Sequence, residues 1–205
     1  MIDEYINRIE NAILKASNKE TKLTQTQFSI IGASTNENRI LINEIMRTGD
    51  KYLEAGVWKG SWFASALYGN DVTGIAIDNF SQFGGLEQNK NEFLHNCSAS
   101  GVTDKMHLIE NDCFNLTEDQ KQLIRGANVY FYDADHKLED QEMALTYYAE
   151  HLANPFIFIV DDYNWDFVAA GTKSGIEKAN LKVHKEWILS EEKWYNGLYV
   201  AVLSR

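Results

Sequence analysis

Residues 51–80, KYLEAGVWKGSWFASALYGNDVTGIAIDNF, constrain this chain more than any other stretch. Tyr52 to Ala55 make a short apolar run that carries Glu54 and breaks at Gly56. Gly60 follows, a helix-like run from Ser61 to Tyr68 starts at once, and a second apolar run, Val72 to Ile77, ends in Asp78. The order is strand, glycine turn, helix, strand, acid, which is the βαβ unit of an open parallel sheet. Such a unit dictates its surroundings. Its strands need helices on both faces, and ligands collect beyond the carboxyl ends of the strands.

The chemistry of this turn suits a nucleotide. Gly56 allows a sharp bend and a close ligand approach, and the first amides after Gly60, from Ser61 onward, are free to donate. Asp78 stands about 20 residues past the turn, where an acid can accept from a ribose diol. A dinucleotide loop would read G-x-G-x-x-G; here only G-x-x-x-G stands, with Trp58 in the middle-glycine position. The pattern E-x-G-x-x-x-G resembles motif I of the class I S-adenosylmethionine-dependent methyltransferases. The resemblance implies S-adenosylmethionine as cofactor, held at Glu54, Gly56, Gly60, Ser61 and Asp78, with Glu54 near the methionine amino group and Asp78 on the ribose. Trp58 departs from the commoner E-x-G-x-G-x-G form. Read from the residues alone, the loop is also compatible with an ordinary α/β turn built on structural glycines.

The flanking chain fits this unit. Ile2, Tyr5, Ile6, Ile9, Ile13 and Leu14 recur at helical spacing, predicting an amphipathic helix to about Asn18. Ser34 with Glu37 reads as a capping box before a helix whose apolar face is Ile40, Leu41, Ile45 and Met46. After Asp78 the pattern predicts a helix over 86–98, a strand over 106–109, a capping box at Thr117 and Gln120, and a strand over 128–132. Then come a helix over 139–152, a wholly apolar strand over 156–160, a helix over 166–178, and strands over 181–189 and 198–203. The last two strands are joined only by EEKWYNG, so they pair antiparallel. The expected fold is α/β: a Rossmann-like class I methyltransferase fold, with a parallel sheet, helices on both faces and a C-terminal antiparallel hairpin. The expected organisation is one domain over 1–205 with an N-terminal helical extension at about 1–48. That extension either packs simply onto the sheet or, as in methyltransferases, covers a substrate site or builds a homodimer contact.

Composition narrows the partners. With 205 residues, 44% hydrophobic and 24% charged, the chain has the make-up of one packed domain. Its net charge of −11 disfavours a nucleic-acid partner. No apolar run approaches a membrane span, and the charged start MIDEYINRIE is not a signal peptide. The two cysteines, Cys97 and Cys113, lack metal-site spacing and read as reduced thiols of a cytoplasmic protein.

Acids accumulate where strands end. Asp112 follows the third strand, and the resemblance places it beside the adenine; it also reads as a turn acid. The fourth strand ends in Asp133-Ala134-Asp135-His136 and the fifth in Asp161-Asp162-Tyr163. Paired carboxylates on two neighbouring strands repel unless a cation or donor lies between them, and hard oxygen ligands suit Mg²⁺, Ca²⁺ or Mn²⁺, with Mg²⁺ favoured. YDADHKLEDQ and IVDDYNW resemble the metal-binding segments of metal-dependent O-methyltransferases of the caffeoyl-CoA and macrolide or aminocoumarin-sugar types. By that resemblance Asp133, Asp161 and Asp162 are metal ligands, Asp133 also adjoins the cofactor, and Asp135 and His136 occupy the catalytic positions where one or the other serves as general base. A helix-flanking surface histidine is the other reading of His136. The function expected is O-methylation of a small molecule with divalent-cation assistance. Two readings stand beside it: a nicotinamide-dependent oxidoreductase or epimerase, and a catalytically idle methyltransferase-fold binding module.

Overall fold

The structure, a computed structural model, describes residues 1–205. Seven strands form one sheet: β1 (Lys51–Ala55), β2 (Thr73–Ile77), β3 (Met106–Ile109), β4 (Val129–Tyr132), β5 (Phe156–Val160), β6 (Lys182–Leu189) and β7 (Leu198–Ser204). Their order across the sheet is β3-β2-β1-β4-β5-β7-β6. The first five are mutually parallel, and β7 runs antiparallel between β5 and β6. This is the fold expected from the alternation of elements and the terminal hairpin. The order reverses between β1 and β4, so the crevice of the topological switch point lies beside the Gly56 turn.

Period-two burial divides each strand between two cores. Tyr52, Phe131, Ile159 and Val200 face one side, with helices α1 (Ile2–Ser17), α3 (Asn36–Ile45), α4 (Ser61–Leu67) and α5 (Leu86–Ala99). Leu53, Tyr130, Phe158 and Ala201 face the other, with α6 (Glu118–Ile124), α7 (Leu138–Thr146) and α8 (Asp166–Lys178). A short helix, α2 (Gln25–Phe28), precedes α3. No helix is long and apolar enough to cross a membrane.

Three local expectations shift. The cap of α3 is Thr35, whose side chain accepts from the Asn38 amide; Ser34 instead accepts from Arg39 Nε. The capping box upstream is Thr24 with Gln27, one helix earlier than Ser34 and Glu37. The helix expected to run to Leu152 ends at Thr146, and turns carry the chain to β5. Capping sites of Ser, Thr, Asn and Glu crowd residues 24–38, and only packing selects among them.

The N-terminal segment is tied down by polar groups on α3. Arg39, 4% exposed, donates to the carbonyls of Gln27, Phe28 and Ile30 at 2.7, 3.1 and 2.8 Å. It thereby closes the end of α2 and fixes the chain up to Ala33, which reaches the rim of the ligand crevice. Asn43 does the same for α4, donating to the carbonyls of Ser65 and Tyr68. Replacing Arg39 by Met keeps most of the volume but strands buried carbonyls. The expected loss is about 3 kcal/mol of unfolding free energy, read from urea denaturation.

Candidate active site

The carboxyl ends of the parallel strands open into one cavity of about 530 Å³, within the range of small-molecule sites. Of the residues singled out in the sequence, Gly56, Ser61, Asp78, Asp112, Asp133, Asp135, His136, Asp161 and Asp162 all line it. Glu54 and Gly60 do not: they sit behind the wall, Glu54 in β1 and Gly60 under Phe93.

The turn after β1 is built by two constraints. Gly56 has φ +90°, and a Cβ there would collide with the Asp133 carbonyl, so the turn presses directly on the end of β4. Asp78 then fixes the loop from the other side. Its two oxygens accept from the amides of Trp58 (2.7 Å) and Phe80 (2.6 Å). Those bonds account for Trp58 in the middle-glycine position. Trp58 adopts a positive φ of 43°, and an amide held by a carboxylate offsets the local strain. Burial raises the Asp78 carboxyl above its ordinary value, and the backbone donors oppose the rise. The Trp58 indole lies against Phe83, centroids 5.2 Å apart, and its Nε1 has no partner. Trp62, also on the cavity wall and 4% exposed, likewise keeps an unpaired Nε1.

On the β3 side, Asp112 is an exposed turn acid whose Oδ1 accepts from the Phe114 amide, and it lines the cavity as well. Both of its sequence readings are therefore structurally available at once.

The β4–β5 side holds the densest chemistry. His136 Nε2 lies 2.7 Å from Asp162 Oδ2, a close contact without hydrogen-bond alignment, and 3.8 Å from Asp133 Oδ1. Ligand atoms of Asp133, His136 and Asp162 fall within 4.8 Å of one another, close enough to share one cation. This trio differs from the expected Asp133, Asp161 and Asp162. Asp162 joins the trio while Asp161, whose charge still raises the Asp133 carboxyl, stays outside it. Asp162 takes a positive φ of 56° to do so. Asp161 is 2% exposed with Oδ1 unpartnered. Asp133 and Asp161 are both held well above the usual carboxylate range, by burial first and then by neighbouring acids. Asp135 is exposed, 3.7 Å from Lys137.

Sequence reasoning missed the strut behind Asp162. Asn196 Nδ2 donates to Asp162 Oδ1 at 2.6 Å. The loop after β5 and the loop between β6 and β7 also exchange backbone bonds, Tyr163 to Gly197 and Asn164 to Asn196. Gly197 is required there, since a Cβ would strike the Asn164 side chain. The one sequence signal was the Asn-Gly step in EEKWYNG, which marks a turn but not what it touches.

With this geometry in view, kinship can be stated. A family model described as a methyltransferase domain matches residues 53–163. The chain belongs to the methyltransferase domain family. No curated protein sequence matches it. Solved structures share its fold at low identity. SMU.776, a candidate methyltransferase complexed with S-adenosylhomocysteine, superposes with a TM-score of 0.65 at 12% identity, covering 85% of this chain and 50% of its own. An O-methyltransferase from Bacillus cereus, also complexed with S-adenosylhomocysteine, gives 0.57 at 13% identity, over 97% of this chain and 91% of its own. A candidate O-methyltransferase from Klebsiella pneumoniae gives 0.59 at 14% identity, over 98% and 90%. This chain spans about half the length of the first of these and nearly all of the other two. The fold is thus that of S-adenosylmethionine-dependent methyltransferases.

Behind the wall, Glu54 is 1% exposed, accepts from the Tyr52 hydroxyl and leaves Oε1 unpaired. Burial pushes its carboxyl up to about 8, against the opposing effect of the Tyr52 bond. A carboxyl raised in the folded state holds its proton there longer than in the unfolded chain. Stability contributed by protonated Glu54 is therefore full below the ordinary glutamate range and is lost as pH rises towards 8. Glu54→Gln should flatten the fall in unfolding free energy between about pH 5 and pH 8, measured by denaturation across that range.

Proposed function

We propose that this chain is an S-adenosylmethionine-dependent methyltransferase that methylates a hydroxyl oxygen of a small molecule, assisted by a divalent cation. The observation that carries the reading is the convergence of Asp133, His136 and Asp162 on the same cavity as the Gly56 turn and Asp78. The cavity suits the cofactor on its own terms. Gly56 leaves room for close approach, Asp78 keeps acceptor capacity beyond its two backbone bonds, and the unpaired indole Nε1 groups of Trp58 and Trp62 lie in the walls. The trio offers two carboxylates and an imidazole, a donor set that a hard or borderline cation accepts.

When bound, S-adenosylmethionine supplies the methyl group: its C–S bond breaks as the new C–O bond forms, and S-adenosylhomocysteine leaves. The chain must place the acceptor oxygen in line with that bond and remove its proton. Asp133, His136 and Asp162 would hold the cation, which lowers the pKa of a bound hydroxyl and orients it. With His136 so engaged, Asp135 is the group left at the cavity edge to receive the proton. Asn196 keeps Asp162 from rotating away. A second reading is favoured by the 2.7 Å contact between His136 and Asp162: without a cation, that pair is a histidine base oriented by a carboxylate.

Two measurements test this. Calorimetry should show binding of S-adenosylmethionine and S-adenosylhomocysteine but not NAD; tight NAD binding with no response to the sulfonium ligand would overturn the assignment. Thermal unfolding should shift upward with Mg²⁺, Mn²⁺ or Ca²⁺, and the shift should vanish in an Asp133→Asn, Asp162→Asn double variant. If the wild type shows no shift and His136→Ala still lowers kcat by about 10²-fold or more, the metal-free reading replaces the first.

A further inference from the structure

The cavity has a lopsided charge. Seven of its lining residues are aspartates and none is lysine or arginine. Lys59 is paired with Glu92 at 2.7 Å, and Lys137, outside the lining, lies 3.7 and 3.8 Å from the lining acids Asp135 and Asp140, leaving five aspartates with no lysine beside them. A sulfonium and a divalent cation together bring three positive charges, which leaves the carboxylates in excess. The second, independent observation is Asp161. It lines the cavity, is 2% exposed, and holds Oδ1 with neither a hydrogen bond nor a cationic partner. Buried carboxylates are stable only when paired, so an unpaired one on a ligand wall points to a positive ligand.

The aromatic residues of the cavity lining add a shape. Trp165 lies 5.2 Å from His136, centroid to centroid, and remains 38% exposed, while Tyr195, 46% exposed, lines the cavity beside Asn196. Phe167 backs Trp165 at 5.6 Å. Exposed aromatic faces over a ring of carboxylates are the surroundings in which cationic groups bind, through charge below and the ring quadrupole above. Anionic acceptors meet no lysine or arginine in the cavity lining.

We propose that the acceptor is a hydroxyl compound bearing a protonated amine and no anionic group, seated between the Asp133–His136–Asp162 trio and the Trp165–Tyr195 rim. This rests on the methyltransferase reading and narrows its substrate class to amine cations, excluding acyl thioesters of nucleotides, sugar phosphates and carboxylates. The amine lies over the rim with its charge towards Asp161 and Asp162, and the hydroxyl points to the trio. Aromatic amines and amino sugars share this chemistry.

The test uses matched trios of probes. Tyramine, its uncharged alcohol and its carboxylate counterpart form one; glucosamine, glucose and glucuronate form the other. Each is titrated by calorimetry into the full chain, with and without S-adenosylhomocysteine, whose own binding is recorded first. In at least one trio the amine should bind at least tenfold more tightly than the alcohol, and the carboxylate most weakly. That preference should shrink as salt rises. Trp165→Ala should weaken the amine at least tenfold while leaving S-adenosylhomocysteine affinity unchanged. If no amine binds more tightly than its carboxylate counterpart, or Trp165→Ala leaves the amine unaffected, the inference is overturned. Failure of S-adenosylhomocysteine to bind would instead overturn the methyltransferase reading, and the two failures are read from separate titrations.

Discussion

Repulsion among carboxylates at one end of a parallel sheet is the constraint around which this molecule is built. The topology places an acid at the end of β1, β2, β4 and β5 and just beyond β3, because each strand must turn there and acids serve such turns. Bringing five strands side by side then brings the acids together. The structure meets the cost in different ways at different positions. Asp78 receives two backbone amides, Asp112 a third, and Asp162 receives Asn196 and the edge of His136. Glu54 has Tyr52 and a raised pKa. At Asp133 and Asp161 burial and the neighbouring acids hold the carboxyls well above the usual range. The contrast is between Asp78, Asp112 and Asp162, which the chain itself braces, and Asp133 and Asp161, whose carboxyls burial and neighbouring acids hold high.

The braces come from remote parts of the chain. The hairpin loop between β6 and β7 carries Asn196 and Gly197 onto the Asp161–Asn164 loop, and the same loop accepts a bond from Thr35 at the start of α3 through the Lys193 carbonyl, at 2.6 Å. The N-terminal segment, through Arg39, sets the opposite lip. Polar side chains that cap one element while belonging to another, as Arg39 and Asn43 do, convert helix ends into fixed joints. The consequence for function is a cavity whose two lips are anchored to each other outside the sheet.

Trp58 illustrates how a departure from a pattern is accommodated. A glycine in that position would take a positive φ without strain. Tryptophan takes it here because its amide is clamped by Asp78 and its ring packs on Phe83. The bulk that a glycine turn excludes becomes part of the cavity wall, next to the unpaired indole of Trp62.

The sequence by itself determined the architecture. Strands of the right length and apolarity alternated with amphipathic helices, and a hairpin too short for a crossover closed the sheet. Those are local patterns of period two and period 3.6, and the chain obeys them within a few residues at most boundaries. It also determined that acids would gather at strand ends, since strand ends are fixed by the same periodicity. Tertiary structure alone decided which acids face one another. Asp161 and Asp162 are adjacent in the chain, yet only Asp162, whose backbone takes a positive φ, joins Asp133 and His136. Asn196 became a partner of Asp162, and Trp165 and Tyr195 came to line the cavity, through contacts between loops that follow different strands. No spacing rule carries such contacts, because they depend on how two loops from different strands pack. Local sequence fixes the direction of the chain; only closure of the loops fixes the distances between charges, and those distances decide the chemistry.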